Sequence, residues 1–366
     1  MAAHERRTPV RVLVLTRYSN LAASTRYRFL QYFPYLEQQG FLFTVQTLLD
    51  DAYLPRLYAG QSPDRRGIVR SYARRLKTLL QSRQFDLIWL HFDAFPWVPA
   101  WWESLALPAD IPYVVDLDDA MFHRYDEHRL PVVRRLLGSK YDRLMQGAAA
   151  VVAGNQYIAN RAVAAGASVV EVIPTVVDLN RYTLRNYDAP PSPVVTVGWI
   201  GSPATASNLR ILQPALRRLG TSHTAQLVTV GSGDVDLGRE IKHVVRPWSE
   251  STEIQDIHRF DVGTMPLIDA PFERGKSGFK LIQCMACGVP VIASPVGVNV
   301  DIIDDGANGF LAASDDEWYA ALKRLADNPA LRQEVGLMGR RRVEADYSLQ
   351  TAAPRLSSLL SRLVAQ

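Results

Sequence analysis

The chain has 366 residues, of which 48% are hydrophobic and 21% are charged, so it is long enough for two domains with separate cores. Its two cysteines exclude a disulfide framework, argue against a four-ligand zinc site and indicate a reducing cytoplasm. A net charge of +4 is too weak to indicate nucleic acid, although it suits anionic small ligands or an anionic membrane surface. We find no signal-peptide pattern and no bilayer-spanning apolar run, and we expect a soluble protein.

Short apolar runs alternate with helical stretches along the whole chain, which is typical of parallel α/β domains. A Pro-rich stretch at 185–193 predicts a linker, and both halves open with a strand, a loop of small residues and a helix. The last helix is predicted near 349–364. The predicted strands are 10–15, 43–47, 86–90, 113–116, 149–153 and 170–173 in the first half, and 196–200, 226–231, 262–265, 291–293 and 309–311 in the second.

Polar residues in the first half lie where predicted strands give way to helices. Ser24 and Arg26 lie at a loop-to-helix start, and Arg26 places a cation at the helix N-terminus, where the dipole disfavours it. We interpret Arg26 either as facing an anion in a cleft or as a surface arginine. Asn155 opens a helix after the strand at 149–153, as a helix cap first and a ligand second.

Three carboxylates cluster at the end of the strand at 113–116. Asp116, Asp118 and Asp119 repel one another, which predicts a partner: sugar hydroxyls, a base-like role or a cation. Helix capping by Asp118 or Asp119 explains one of them but not all. His91 follows the strand at 86–90 on the same sheet edge, where it either contacts an acceptor or sugar or has a structural role.

Residues 65–83 predict an amphipathic helix whose apolar face includes Val69 and Leu79, with cations such as Arg74 off that face. The ordinary interpretation is a core-packed helix with a solvated side. The alternative is docking on anionic lipid headgroups, with the aromatic residues of 95–102 at the interface.

The second half opens with Gly201, Ser202 and Pro203 after its first strand. They form either a cradle of backbone N–H groups and a hydroxyl for a pyrophosphate, or an ordinary strand-to-helix turn.

Two cations flank the start of a predicted helix at 279–287. Ser277 and Gly278 lie at the predicted N-cap, so Lys276 and Lys280 stand at the pole that carries a partial positive charge. An anion bound between them would reverse that unfavourable interaction, which predicts a phosphate site. The cysteines of this helix are interpreted as core residues.

Gly297 follows the strand at 291–293, where its backbone can approach a phosphate or sugar closely, or simply form a turn. Asn299 is interpreted as a helix N-cap or as a polar contact to sugar or phosphate.

These residues resemble the GT-B glycosyltransferases of the retaining family-4 type. The segment MACGVPVIASPVGVNVDIIDDGANGFLAAS is similar to the donor segment of that family, and FDVGTMPL precedes it as the family's strand does. VIPTVVD and SLQTAAPRLSSLL are similar to its junction strand and returning terminal helix. The resemblance implies two Rossmann-like parallel-sheet domains facing a central cleft: 1–184 for the acceptor and 194–345 for the donor, with 346–366 returning to the N-terminal domain.

The chain departs from that family at two positions on the donor helix. The family carries glutamates eight residues apart, and here the positions hold Gly275 and Gln283. By resemblance Gln283 holds the nucleotide ribose, because an amide can accept from one hydroxyl and donate to another. Glu273 would replace the missing sugar contact. We expect glutamate at position 283 to be tolerated.

The resemblance implies a retaining, metal-independent glycosyltransferase of glycan or glycoconjugate biosynthesis, with no cofactor besides its nucleoside-diphosphate sugar co-substrate. The acceptor would be a glycan or lipid-linked hydroxyl, and no nucleic acid is expected. The location would be cytoplasmic, with peripheral contact at the inner membrane surface. A nucleotide-sugar epimerase and a non-catalytic nucleotide-sugar-binding protein are the alternatives. The catalytic candidates are Asp116, Asp118, Asp119, His91 and Lys276.

Overall fold

The computed structural model describes residues 9–188 and 192–365, which form two compact units. Unit 1 contains residues 9–175 and 352–365, and unit 2 contains residues 176–188 and 192–351. Each unit is built on a parallel sheet of six strands. The predicted α/β class with two parallel-sheet domains is confirmed.

The sheet of unit 1 has the strand order β2-β1-β3-β4-β5-β6. The chain therefore changes direction across the sheet between β1 and β3, and the carboxyl ends of strands at such a switch point are where α/β sheets bind ligands. The strands are β1 Val10–Thr16, β2 Phe41–Thr47, β3 Leu87–His91, β4 Tyr113–Leu117, β5 Ala150–Ala153 and β6 Val170–Val172.

Helices connect these strands, and the C-terminal helix packs on the same unit. Arg355 of that helix bonds Glu171 at 3.0 Å and the Val172 carbonyl at 2.7 Å. The helices are α1 Ala23–Arg28, α2 Phe33–Gln38, α3 Tyr53–Tyr58, α4 Arg65–Leu80, α5 Ala100–Ala106, α6 His123–Asp126, α7 Pro131–Leu137, α8 Lys140–Gln146 and α9 Gln156–Ala164, with 3₁₀ turns at Leu30–Tyr32 and Ser82–Gln84.

The sheet of unit 2 has the order β12-β11-β10-β7-β8-β9, with its switch point between β7 and β10. The strand β9 was not predicted, because it is short, lies at the sheet edge and is only partly buried. The strands are β7 Val195–Ile200, β8 Ala225–Val230, β9 His243–Arg246, β10 Val262–Met265, β11 Val291–Ala293 and β12 Phe310–Leu311.

Unit 2 packs its helices around a core that includes Trp199, Leu209 and Trp318. Cys284 and Cys287 are buried free thiols, which confirms their interpretation as core residues. The helices are α10 Gln213–Gly220, α11 Glu253–His258, α12 Pro271–Arg274, α13 Phe279–Ala286, α14 Asn299–Ile302, α15 Asp315–Asp327 and α16 Pro329–Asp346, with a 3₁₀ stretch at Pro203–Leu212. The C-terminal helix α17 Leu349–Val364 begins in unit 2, and its residues from 352 onward belong to unit 1.

The division between the units falls at residue 175, ahead of the predicted linker at 185–193. The segment 176–188 belongs to unit 2, because the Arg185 amide donates to the Cys287 carbonyl at 3.0 Å and the Tyr187 hydroxyl donates to the Gly288 carbonyl. The second division falls at 351, six residues after the predicted 345. Residues 189–191 of the predicted linker lie outside the described residues.

Helix α4 buries a different face from the predicted one. Val69 is exposed, and the buried side carries Ser71, Arg75 and Leu79. Arg75 is fully buried and donates to the Thr16 carbonyl at 2.6 Å, so satisfying its guanidinium sets the rotation of the helix. The predicted placement of Val69 on the packed face is therefore wrong. No helix in the described part of the chain is both long and apolar enough to cross a bilayer.

Candidate functional site

The carboxyl end of β7 brings Gly201 into contact with the start of α13. A β-carbon at Gly201 would lie 2.6 Å from Lys280 Cε and 2.6 Å from the Trp199 ring, so only glycine fits without displacing them. The Lys280 ammonium stands 5.4 Å from the centroid of the Trp199 ring. Ser202 and Pro203 follow, with Pro203 opening the 3₁₀ stretch. The β7 loop and the second lysine of the predicted phosphate site are thus adjacent at the switch point of the sheet.

Gly278, the second of the two residues predicted at the N-cap, holds that position in α13. Its φ is +66°, and a Cβ there would meet Ile302 and Val298. No side chain caps the helix, and its first turn contains no acidic residue. The first turn therefore presents backbone N–H groups and a positive dipole end, both of which suit an anion.

The segment ahead of α13 folds over the loop that follows β11. Glu273 lies in α12, where its carbonyl accepts from the Lys276 amide at 3.1 Å, and the Lys276 ammonium stands 4.3 Å from the Phe272 ring centroid. Gly297 has φ +56°, and a Cβ there would lie 2.3 Å from the Arg274 carbonyl oxygen. The positive φ and the close approach of the Arg274 backbone explain why glycine is needed at position 297, in agreement with the turn interpretation.

The interpretation of Asn299 as an N-cap is wrong. Val298 holds the N-cap position of α14, and Asn299 Nδ2 instead donates to the Ser294 carbonyl at 3.0 Å. Its Oδ1 is buried and has no hydrogen-bond partner among the described residues. A buried acceptor of this kind is available to a hydroxyl or N–H group of a ligand.

Gln283 lies in a buried hydrogen-bonded chain. Its Nε2 donates to the Tyr182 hydroxyl at 2.8 Å, and that hydroxyl donates to Glu253 Oε1 at 2.8 Å. The expectation that glutamate is tolerated at position 283 changes accordingly, because two carboxylates would then compete for one hydroxyl proton. Sequence patterns could not reveal these hydrogen bonds, because Tyr182, Glu253 and Gln283 lie far apart along the polypeptide.

At the sheet edge of unit 1, Asp116 has partners within the protein. Arg28 Nε donates to its Oδ1 and Trp89 Nε1 donates to its Oδ2 at 3.2 Å. Burial raises the pKa of Asp116, although Arg28 acts in the opposite direction. Arg28 is therefore the partner that we predicted for this cluster of carboxylates. The assignment of Asp116 as a catalytic residue is wrong, and its role is structural.

Asp118 and His91 form the part of this edge that lacks internal partners. His91 Nε2 lies 3.7 Å from Asp118 Oδ1, longer than a hydrogen bond, and both imidazole nitrogens and that oxygen are buried without hydrogen-bond partners among the described residues. Burial acts to raise the pKa of Asp118, but the proximity of His91 and Arg28 outweighs it and holds that pKa below its ordinary value. An ionised, buried carboxylate beside an unsatisfied imidazole suits the binding of substrate hydroxyls.

Backbone strain marks the same edge. Phe92, directly after His91, has φ +64°, which is rare for a bulky residue and is common at functional sites. Its ring stacks on the imidazole with centroids 3.9 Å apart. Asp119 follows Asp118 and is partly exposed.

Two of the remaining predicted residues of unit 1, Asn155 and Arg26, have structural partners. Asn155 Oδ1 accepts from the Ile158 amide at 3.0 Å, so it caps α9. Ser24 is partly exposed in the first turn of α1. Arg26 lies in the last turn of this six-residue helix and donates to the Asn20 carbonyl at 2.5 Å, so its predicted position at the unfavourable pole is wrong.

The sequence analysis missed a buried ionic cluster behind this edge. Asp93 pairs with Arg17 and, at 2.8 Å, with Lys140, which also lies 2.8 Å from Glu103. These charges satisfy one another and give the cluster a structural role. Among residues 9–188 and 192–365, no group of three or more His, Cys, Asp or Glu side chains is arranged to hold a metal ion.

Two family models match the chain and together span most of it. Residues 194–328 match the glycosyl transferases group 1 model, and residues 9–181 match the Glycosyltransferase Family 4 model.

Curated and solved relatives agree with these matches. A GDP-mannose-dependent monoacylated alpha-(1-6)-phosphatidylinositol monomannoside mannosyltransferase of Corynebacterium glutamicum is 26% identical over 52% of this chain and 55% of its own length. The chain thus spans about half of that relative. Sucrose-phosphate synthase from Thermosynechococcus elongatus superposes with a TM-score of 0.74 at 17% identity, covering 97% of this chain and 99% of that one. Anabaena Alr3699/HepE in complex with UDP gives 0.70 at 18% identity, covering 96% and 100%.

Proposed function

The chain belongs to the family-4, group 1 glycosyltransferases of the GT-B fold, and from that premise we propose that it transfers a sugar from a nucleoside-diphosphate sugar to a hydroxyl acceptor. The observation that carries this proposal is the contact of Gly201 with Lys280 beside the uncapped start of α13. That arrangement offers a cation, backbone N–H groups and a helix dipole to one anion.

In the proposed reaction, the bond between the sugar C1 and the diphosphate oxygen breaks, and the acceptor oxygen bonds to C1. The negative charge that develops on the leaving diphosphate is the largest electrostatic demand. Lys280 and the N-terminus of α13 would meet it, with Lys276 as a second cation ahead of the same helix. By family resemblance, we propose that the reaction retains the anomeric configuration and needs no metal ion.

Unit 1 would bind the acceptor or the transferred sugar through His91 and Asp118. Both groups are buried and lack hydrogen-bond partners among the described residues, so substrate hydroxyls would satisfy them. The depressed pKa of Asp118 keeps it ionised at neutral pH, and an ionised carboxylate accepts a hydrogen bond from a hydroxyl.

A screen of nucleotides and nucleotide sugars would identify the donor. HepE was solved with UDP and UDP-glucose, whereas the mannosyltransferase relative is GDP-mannose-dependent. Thermal shifts with UDP, GDP and their glucose and mannose conjugates would identify the nucleotide. Release of nucleoside diphosphate is then measured with and without glycan or lipid acceptors. Release that depends on an acceptor supports a transferase, whereas acceptor-independent turnover supports an epimerase or hydrolase.

We also propose peripheral contact with an anionic membrane, on a surface other than α4. Helix α7 exposes Leu130, Val132 and Leu136 at and beyond its start, carries Arg134 and Arg135 and contains no acidic residue. The exposed Trp97 ring lies 5.8 Å from His128, close to that segment. Exposed apolar and aromatic side chains beside cations are typical of interfacial segments.

Co-sedimentation with vesicles tests this surface. We expect binding to phosphatidylglycerol vesicles but not to phosphatidylcholine vesicles, weakened at least fivefold by Arg134→Glu with Arg135→Glu. The matched control is Arg65→Glu with Arg66→Glu on α4. If only the α4 variant loses binding, the lipid surface is α4; if the parent protein does not bind, there is no membrane contact of this kind.

A further inference from the structure

Three buried polar side chains of unit 2 form one hydrogen-bonded chain, Gln283 to Tyr182 to Glu253. The exposed fractions of these residues are 5% for Gln283, 0% for Tyr182 and 1% for Glu253. Each link is 2.8 Å long.

The chemistry of the three side chains determines which group donates and which accepts in each of these two hydrogen bonds. The Glu253 carboxylate also faces the donors Trp248 Nε1 and Arg181 Nη2, so it acts as the acceptor. The Tyr182 hydroxyl therefore donates its proton to Glu253. The hydroxyl oxygen can then only accept, and the end of the Gln283 amide that faces it must be the NH₂ group. The amide is therefore held in one of its two orientations, and its Oε1 can act only as an acceptor.

Glu253, at the other end of these hydrogen bonds, is also held in place by its neighbours. Trp248 Nε1 donates to Glu253 Oε2 at 2.9 Å, and Arg181 Nη2 lies 2.8 Å from Oε1. Trp248 follows β9 and packs against Gly231 at the carboxyl end of β8, where a β-carbon on Gly231 would lie 3.0 Å from Trp248 Cβ and 2.5 Å from the Gly201 carbonyl oxygen. The three hydrogen-bonded side chains, Gln283, Tyr182 and Glu253, thus reach the same sheet edge as the Gly201 loop.

We propose that Tyr182 and Glu253 are positioning residues that hold Gln283 Oε1 as an acceptor for a ribose hydroxyl of the donor nucleotide. This inference rests on the proposed function and deepens it. A glutamate at 283 would present an acceptor without help, whereas a glutamine presents either end of its amide unless a neighbour orients it. With Tyr182 and Glu253 in place, Gln283 offers one of the two acceptor oxygens that a carboxylate would offer.

The test measures the affinity of the parent protein and of Tyr182→Phe for UDP and GDP and for their 2′-deoxy and 3′-deoxy counterparts. The parent should bind a ribonucleotide at least tenfold more tightly than one of its deoxy counterparts. Tyr182→Phe, which removes a single oxygen, should weaken the ribonucleotide five- to tenfold and leave that deoxy counterpart unchanged. The discrimination should then collapse.

Other outcomes separate the two ideas. Equal weakening of both nucleotides in Tyr182→Phe means that Tyr182 is merely structural, and a parent protein that does not discriminate also overturns the inference. If the parent protein binds none of the nucleotides, the proposed function itself fails. Should Tyr182→Phe not fold, Glu253→Gln in its place preserves size while removing the obligatory acceptor, and it should reduce discrimination in the same way.

A charge swap gives an independent check. Gln283→Glu alone should lose at least fivefold in ribonucleotide affinity, because two carboxylates then face the Tyr182 hydroxyl. Adding Glu253→Gln should restore most of that loss, since one carboxylate and one amide again flank the hydroxyl. Absence of rescue, with both proteins folded, would contradict the proposed orientation.

Discussion

Arg28 Nε lies 2.7 Å from Asp116 Oδ1, and each of these two side chains is 1% exposed. The pair joins helix α1 to the end of β4, and Arg28 Nη1 extends the link to the Ile173 carbonyl at 2.7 Å. A buried pair of this kind keeps the Asp116 carboxylate at the sheet edge without exposing it to substrate. Asp118 Oδ1, at the same edge, has no hydrogen-bond partner within the described part of the chain.

Removing one member of this pair should destabilise unit 1. We expect Arg28→Ala to lower the free energy of unfolding by about 3–5 kcal/mol, because it leaves the charge of Asp116 buried and uncompensated. Denaturant unfolding followed by intrinsic fluorescence measures this. Arg70→Ala, on the exposed side of α4, is the control and should change stability by less than about 0.5 kcal/mol. A change as small for Arg28→Ala would show that the pair contributes little.

The anion site should depend on its lysines. We expect Lys280→Ala and Lys276→Ala each to weaken nucleoside-diphosphate binding by about 1.5–3 kcal/mol, roughly tenfold to a hundredfold, through loss of a charge-assisted contact. Lys323→Ala is the matched control, because Lys323 is a partly exposed lysine of the same unit that pairs with Asp327. Isothermal titration calorimetry measures all three. Parent-like affinity in both site variants would place the diphosphate elsewhere.

Asp118 and His91 should affect turnover more than folding. We expect Asp118→Asn to reduce kcat/KM by about 10²–10⁴-fold through loss of proton transfer, a far larger factor than its loss of folded protein. Asp116→Asn should lose activity only in proportion to unfolded protein. If the two variants lose activity equally per folded molecule, the separation of their roles is wrong.

The pH dependence of Asp118 has a definite sign. Its pKa in the folded state is below the ordinary value, so its contribution to stability is present above the unfolded pKa of about 3.9 and is lost as pH falls through the folded pKa. Stability should therefore fall only in the acid range, and Asp118→Asn should flatten that fall. Unfolding free energies measured between pH 7 and pH 3 check this, and an unchanged acid slope in the variant would contradict it.

The thiols should be inert in the folded protein. Burial raises the pKa of Cys284 to about 12 and that of Cys287 well above its usual range, so neither thiolate is populated at neutral pH. Iodoacetamide should label neither at pH 8 until denaturant is added. Mass spectrometry of native and unfolded samples measures this, and rapid native labelling would show that α13 opens readily.

Activity should survive chelation. By family resemblance, we expect turnover to be unchanged in EDTA. Loss of turnover that manganese or magnesium restores would assign Asp118 and Asp119 to a metal ion instead.

Local pattern was enough to predict the repeated strand–helix order of both halves, because buried parallel strands are short continuous apolar runs. The strands at Val262–Met265 and Val291–Ala293 were predicted to the residue, and the ends of the other predicted strands to within one or two residues. The edge strand β9 was missed because partial exposure weakens its apolar signal. The phosphate-site prediction likewise rested on local charge at a helix start, and Gly201 and Lys280 do lie together.

Only the tertiary structure decided which polar residues are already satisfied. Asp116 and Asp118 look alike in the sequence, yet Arg28 neutralises one of them from 88 residues away. Gln283 looks like a simple replacement for glutamate, yet Tyr182 and Glu253 set the orientation of its amide. Helix spacing and hydropathy carry no information about partners distant in the chain, and a buried polar group is defined by those partners. The sequence by itself therefore determined the elements and the class of the site, and long-range packing determined the role of each side chain within it.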